Sequence, residues 1–157
     1  MRIAHVLASA GLGGYFFDDQ RAIKDGALRD GIAYLGPPVT PGFAAVREPA
    51  ESTSVMLVLD DGYVAVGDCA SVQYSGVGGR EPRLRGAELA ARIECDLAPR
   101  LSGLEVTSFR EASERAEALL GEIGGFGRAA AYGVSQALLD AAAHAAGHHL
   151  MGRVVKD

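Results

Sequence analysis

The sequence predicts an α+β fold, an antiparallel β-meander followed by a helical bundle. Two observations carry that expectation. Strand-like runs fill the first part, about residues 1–70, and helical patterns fill the last, about residues 84–155, with a glycine-rich stretch at about 71–82 between them. A parallel α/β sheet would alternate strands and helices, so this order argues against it. The second observation is Asp61-Gly62 between two apolar runs, a strong short-range signal for an antiparallel hairpin.

The elements follow in order. Residues 2–8 (RIAHVLA) read as the first strand, and 53–60 (TSVMLVLD) and 63–69 (YVAVGDC) as the two arms of the hairpin. Between them lie two segments expected to be long and irregular, GLGGYFFDDQRAIKDGALRDG and the Pro- and Gly-rich GPPVTPGFAAVREPAES. Long unpatterned connections in a compact domain are often functional. In the second half, Leu89, Ile93 and Leu97 recur at four-residue spacing on one helical face, with Pro99 near its end. Thr107 or Ser108 is the candidate N-cap of the next helix. Glu111 stands three residues after Ser108, as in a capping box, and Gly121 is suited to the end. The last helix is expected from about Arg128 to Ala146. Its apolar face, Ala130, Val134, Leu138, Ala141 and Ala145, is small enough for close approach by a neighbouring helix.

The 157 residues suit one domain, and 48% apolar with 22% charged residues is an ordinary globular balance. A formal charge of −5 without any basic run argues against broad nucleic-acid contact. The opening MRIAHVLASAG is too short an apolar run for a membrane span or a secretory signal. A cytoplasmic protein is therefore expected. Cys69 and Cys95 are read as free thiols, since a domain of this size with a good core needs no staple.

Several motifs invite chemistry and fail on spacing. GLGG after the first strand suggests a phosphate turn, but G-x-G-x-x-G from Gly11 meets Phe16, and from Gly76 it meets Glu81. Asp18, Asp19, Asp25 and Asp30 could supply oxygen ligands to a hard cation. Carboxylates just before a helical segment more often cap it, and that reading is preferred. His144 and His148 share a helical face at i, i+4, while His149 points elsewhere; without further ligands they make a solvated or interface cluster rather than a zinc site. Cys69 follows Asp68, whose charge raises a thiol pKa, so it reads as structural. In GDCASVQYSGVGGREP, Gln73 offers an amide that both donates and accepts. On composition alone, Gln73 bonds loop backbone and Tyr74 packs beneath it.

The order of motifs adds to this. YFFDDQRAIKDGA, DGIAYLG, VTPGF, GDCASVQYSGVGGREP and AAYGVSQALLDAAA together resemble the N-terminal part of the methylaspartate ammonia-lyase family of the enolase superfamily, over the whole chain. That resemblance implies an enolase-like N-terminal capping domain over residues 1–157, whose (β/α)8 barrel partner is absent from the chain. It implies reversible elimination of ammonia from 3-methylaspartate to mesaconate. The lysine base and the magnesium ligands would lie on the barrel, so no catalytic or metal-binding residue is expected here. Gln73 matches the family glutamine that reaches toward the substrate amino group, and Tyr74 to Gly79 the loop that closes over the site. The implied partners are the barrel, a small amino dicarboxylate and, in the complete enzyme, a second copy in a homodimer. The chain alone is expected to be inactive. The competing expectation is a non-catalytic binding or assembly module that retains the capping fold.

Overall fold

The computed structural model describes residues 1–71 and 83–148. The chain opens with β1 (Ile3–Asp18), continues through the short helix α1 (Gln20–Lys24) and a small hairpin of β2 (Leu28–Asp30) and β3 (Ala33–Leu35), and returns as β4 (Arg47–Leu59) and β5 (Val64–Ala70). β1, β4 and β5 form one antiparallel sheet in that order. It is the expected meander with α1 and the small hairpin inserted between its first two strands. The Asp61-Gly62 turn forms as predicted: Gly62 takes φ +88°, and Leu59 closes the turn through bonds with Gly62 and Tyr63 of 2.9 and 2.8 Å.

The two connecting segments are more regular than expected. GLGG and YFF continue β1, and REPAES begins β4. The pattern that obscured this is a bulge. The register moves from Leu12 opposite Glu51 to Phe16 opposite Pro49, so Gly13, Gly14 and Tyr15 face a single partner residue. An extra residue or two in one strand breaks the two-residue alternation by which a strand is recognised.

One sheet face is covered. Val55, Leu57 and Leu59 on β4 and Ala65 and Cys69 on β5 alternate into the core, joined there by Ile3 and Val6 of β1. Leu7, Val64 and Val66 point to the other face and are exposed. The covering layer is helical. α2 (Gly86–Arg92) runs through one wide π turn, Ile93–Leu97, into α3 (Ala98–Leu101). Pro99 has no N–H to give the carbonyl four residues back, which is consistent with a widened turn at this point. Ile93 and Leu97 are fully buried and Leu89 half-buried, as their spacing predicted.

α4 (Phe109–Ile123) has Ser108 as N-cap, its hydroxyl accepting the Glu111 amide at 3.3 Å. The return arm of the capping box is not made to Ser108; the Glu111 carboxylate accepts the Thr107 hydroxyl at 2.9 Å instead. Gly121 does not end the helix. It lies inside α4, and Gly124, at φ +73°, provides the left-handed backbone that stops it.

α5 (Arg128–Ala145) closes the layer, and its small-residue face meets a strand where a helix was expected. Ala130, Val134, Leu138 and Ala141 are buried, together with Gly133 and Ala137. A Cβ built on Gly67 of β5 would stand 2.0 Å from the Gly133 carbonyl oxygen, and one built on Gly133 would stand 2.5 Å from the Cys69 sulfur. Helix and strand therefore touch backbone to backbone.

Candidate functional site

Gln73 and the segment Tyr74 to Gly79 lie outside the described residues. The structure does describe the two ends of that segment, Ser71 and Arg83, and both are held by the far end of β1.

Tyr15 and Phe17 sit two residues apart on β1 and so project to one side of the strand. Their rings meet edge to face, with centroids 5.7 Å apart. The Tyr15 hydroxyl donates to the Ser71 carbonyl. At the other end, the Arg83 guanidinium stands 5.3 Å from the Phe17 ring centroid and 5.0 Å from that of Phe43, and it pairs with Glu48. This pair is enclosed, with side chains only 8% and 14% exposed. Among the described residues, the Nε and Nη1 of Arg83 are buried with no hydrogen-bond partner, and an unmade bond is costly in the interior. Burial would raise the Glu48 carboxyl. The amides of Ala44 and Ala45 and the Arg83 charge outweigh it, so the pKa falls below the ordinary carboxylate value.

Two residues on, Arg85 pairs with Glu51 at 3.0 Å and donates to the Gly42 carbonyl at 3.0 Å. The other Glu51 oxygen accepts the Gly86 amide at 2.6 Å, so a strand carboxylate serves the start of α2, which has no side-chain cap of its own. A cleft of about 390 Å³ opens beside these groups, lined among others by Ser71, Arg83, Arg85, Arg92 and Phe126. Arg92 is already engaged there, stacked 4.3 Å over Phe126 and donating to the Gly124 and Gly125 carbonyls.

Of the two carboxylates of the FFDDQ motif, Asp19 caps a helix as expected, whereas Asp18 pairs with an arginine instead of capping. Asp18 holds Arg47 through two bonds of 2.6 and 2.7 Å. Asp19 is the N-cap of α1 and also ties down the segment ahead of β4. It accepts the amides of Arg21 and Ala22, the amides of Val39 and Thr40, and the Thr40 hydroxyl at 2.5 Å. Burial pushes its pKa up, but the Thr40 hydroxyl and the surrounding amides prevail and lower it from 3.8 to about 2. With every Asp19 oxygen occupied by donors and Asp18 committed to Arg47, this pair does not fit a magnesium ion. Among the described residues there is no group of three or more His, Cys, Asp or Glu side chains placed to hold a metal.

His144 pairs with Asp61 at 2.7 Å and stacks flat on Tyr63 with ring centroids 3.8 Å apart. His149 lies outside the described residues. Cys69 is buried and Cys95 exposed, and both are free thiols. Burial, aided by the Asp68 charge, pushes the Cys69 thiol up to about 12, so it is the structural residue expected.

The sequence reading missed Tyr15, Phe17, Glu48 and Arg83. The signal available to it was weak: two aromatics at i, i+2, and an arginine just past a glycine-rich stretch. The pairing of Arg83 with Glu48 spans 35 positions, and no local pattern reports that.

A family model described as the methylaspartate ammonia-lyase N-terminus matches residues 1–157. The chain belongs to this family. Methylaspartate ammonia-lyase from Clostridium tetanomorphum is 49% identical over 143 residues, a match covering 91% of this chain and 35% of that protein. A crystal structure of the Citrobacter amalonaticus methylaspartate ammonia-lyase, containing (2S,3S)-3-methylaspartic acid, superposes with a TM-score of 0.85 at 45% identity, over 96% of this chain and 36% of that one. The magnesium complex of the Clostridium tetanomorphum enzyme gives 0.84 at 46% identity over the same shares. The chain thus spans about a third of the length of the curated methylaspartate ammonia-lyases it matches, and it corresponds to their N-terminal part.

Proposed function

We propose that this chain is the substrate-capping part of a methylaspartate ammonia-lyase, acting on 3-methylaspartate to release ammonia and mesaconate when joined to a C-terminal barrel domain. The observation that carries the reading is its likeness, at 45% identity and across nearly its whole length, to an enzyme whose crystal structure contains (2S,3S)-3-methylaspartic acid. Residues 1–157 act as one capping domain, and Gln73 is its substrate-binding residue. An amide can accept from a substrate ammonium through its oxygen while its NH2 group donates elsewhere. Magnesium supplies Lewis-acid stabilisation in the complete enzyme. Its ligands belong to the barrel, because Asp18 and Asp19 are committed to Arg47 and to capping.

The same reading gives a cytoplasmic enzyme, homodimeric when complete. No helix of the described residues is long and apolar enough to cross a membrane.

The test is ultraviolet detection of mesaconate from 3-methylaspartate with magnesium. The chain is assayed alone and then mixed with a separately produced C-terminal domain of a methylaspartate ammonia-lyase. Product is expected only from the mixture and is lost in Gln73→Ala. Product from the chain alone would show that the chemistry does not reside in the barrel, and silence in both would remove the lyase reading.

A further inference from the structure

We propose that Gln136 and Asp140 of α5 make an autoinhibitory contact on β5, closing its outer edge to strand addition by a second copy of this chain. β5 is an edge strand, paired with β4 alone. In an antiparallel pair, alternate residues turn their amides toward the partner strand and the others turn them away. Leu59 donates to the Tyr63 carbonyl, so Ala65, Gly67 and Cys69 follow Tyr63 inward, and the amides of Val64, Val66 and Asp68 point outward. A row of such amides is a template for another strand.

α5 occupies two of them. The Val66 amide donates to Asp140 Oδ2 at 3.2 Å and the Asp68 amide to Gln136 Oε1 at 3.0 Å. The spacings agree: two residues along a strand cover about 7 Å, and four along a helix about 6 Å. The helix lies near enough for side chains this short because Gly67 and Gly133 bring strand and helix backbone to backbone. The second Asp140 oxygen accepts the Tyr63 hydroxyl at 3.0 Å, which fixes the carboxylate in place. Both amide bonds lie at the surface, so an incoming strand can reach this edge once the two side-chain oxygens are gone.

The β1 edge is closed differently. Main chain seals its start, Ile3 donating to the Leu104 carbonyl at 3.0 Å and accepting from Gly103 at 2.8 Å, and Glu94 accepts the Ala8 amide at 3.2 Å. On β5, among the described residues, the amide closure rests on Gln136 and Asp140. The occupant that fits the opened edge is β5 of a second copy, because an antiparallel strand paired with itself has two-fold symmetry and closes as a dimer. With Val64 of one copy opposite Val66 of the other, the outward amides pair. These valines, 43% and 47% exposed, then meet across the strands on the outer sheet face.

The experiment is sedimentation equilibrium of the 157-residue chain, with circular dichroism to confirm that each variant is folded. Gln136→Ala/Asp140→Ala opens the edge, and its mass is expected to be about two-fold that of the unsubstituted chain at equal concentration. Adding Val66→Pro deletes an outward amide while leaving the pairing with β4, a substitution that edge strands tolerate, and it should return the mass to the starting value. Gln136→Ala alone frees only the Asp68 amide and keeps Asp140 on Tyr63. Its mass should rise in the same direction, which keeps the proposal testable where the double variant does not fold. An unchanged mass in the folded variants, or a doubling that survives Val66→Pro, would overturn the inference.

Discussion

Asp19 is the residue on which the insertion between β1 and β4 depends. It is 1% exposed, and its carboxylate receives four backbone amides and one hydroxyl from two separate stretches of chain. Asp19→Asn puts a second donor among donors, and it should cost about 2–3 kcal/mol at neutral pH, the scale of a buried group left unsatisfied. The pH dependence has a definite sign. The folded pKa, about 2, lies below the ordinary 3.8, so the stabilisation is complete above pH 4 or so and is lost as pH falls through the folded value. Urea unfolding of both proteins should show a gap that narrows from about pH 4 toward pH 2, as the wild-type carboxyl takes up its proton. A gap constant across that range would mean that the charge on Asp19 is not what those donors require.

Among the elements, α5 and β5 are joined by the absence of side chains. The Gly67 Cβ would meet the Gly133 oxygen at 2.0 Å and the Ala137 amide nitrogen at 2.7 Å, and backbone atoms cannot swing aside as a side-chain tip can. Gly67→Ala should therefore destabilise by about 3 kcal/mol or more, since overpacking a tight contact costs roughly 1–3 kcal/mol even where side chains can adjust. Gly121 is the opposite case. Nothing lies within 4 Å of its Cβ position, and it sits in the interior of α4, so Gly121→Ala should stabilise by about 0.5–1 kcal/mol. Chemical denaturation of the two variants should move the midpoint in opposite directions. Equal and small shifts would mean that the strand and helix stand further apart than the backbone contact requires. The sequence announced the small face of α5 through its alanines. It could not say whether a helix or a strand would lie against it, because small residues permit close approach without selecting the partner.

For the whole molecule, one core unites the sheet with its helical layer, drawing Ile3, Leu57, Ile93, Leu97, Val134 and Leu138 together from both halves of the chain. The β2–β3 hairpin stands outside it. Its strands have three residues each, and Leu28, Ile32 and Leu35 are 70%, 72% and 54% exposed. A hairpin with no buried face is marginal by itself. Amide hydrogen exchange should therefore be fast across residues 28–35 through local opening, whereas the amides of β4 and α5 should exchange only with global unfolding. Uniform protection would mean that the hairpin is covered in solution.

The amino-acid sequence by itself determined the class of fold, the Asp61-Gly62 turn and the family, and narrowed the cap of α4 to Thr107 or Ser108, because each of these is written in neighbouring residues or in long irregular motifs. Its spacing also argued against a phosphate-loop reading of GLGG; Gly13 and Gly14 lie instead in the register shift of β1 between Leu12 and Phe16. Only the tertiary structure decided what holds the ends of the glycine-rich stretch. Tyr15 meets Ser71 across 56 positions and Glu48 meets Arg83 across 35, and such pairings arise from strand register and a bulge. Periodicity reports which face of an element is apolar, but it carries no record of which distant side chain will stand opposite.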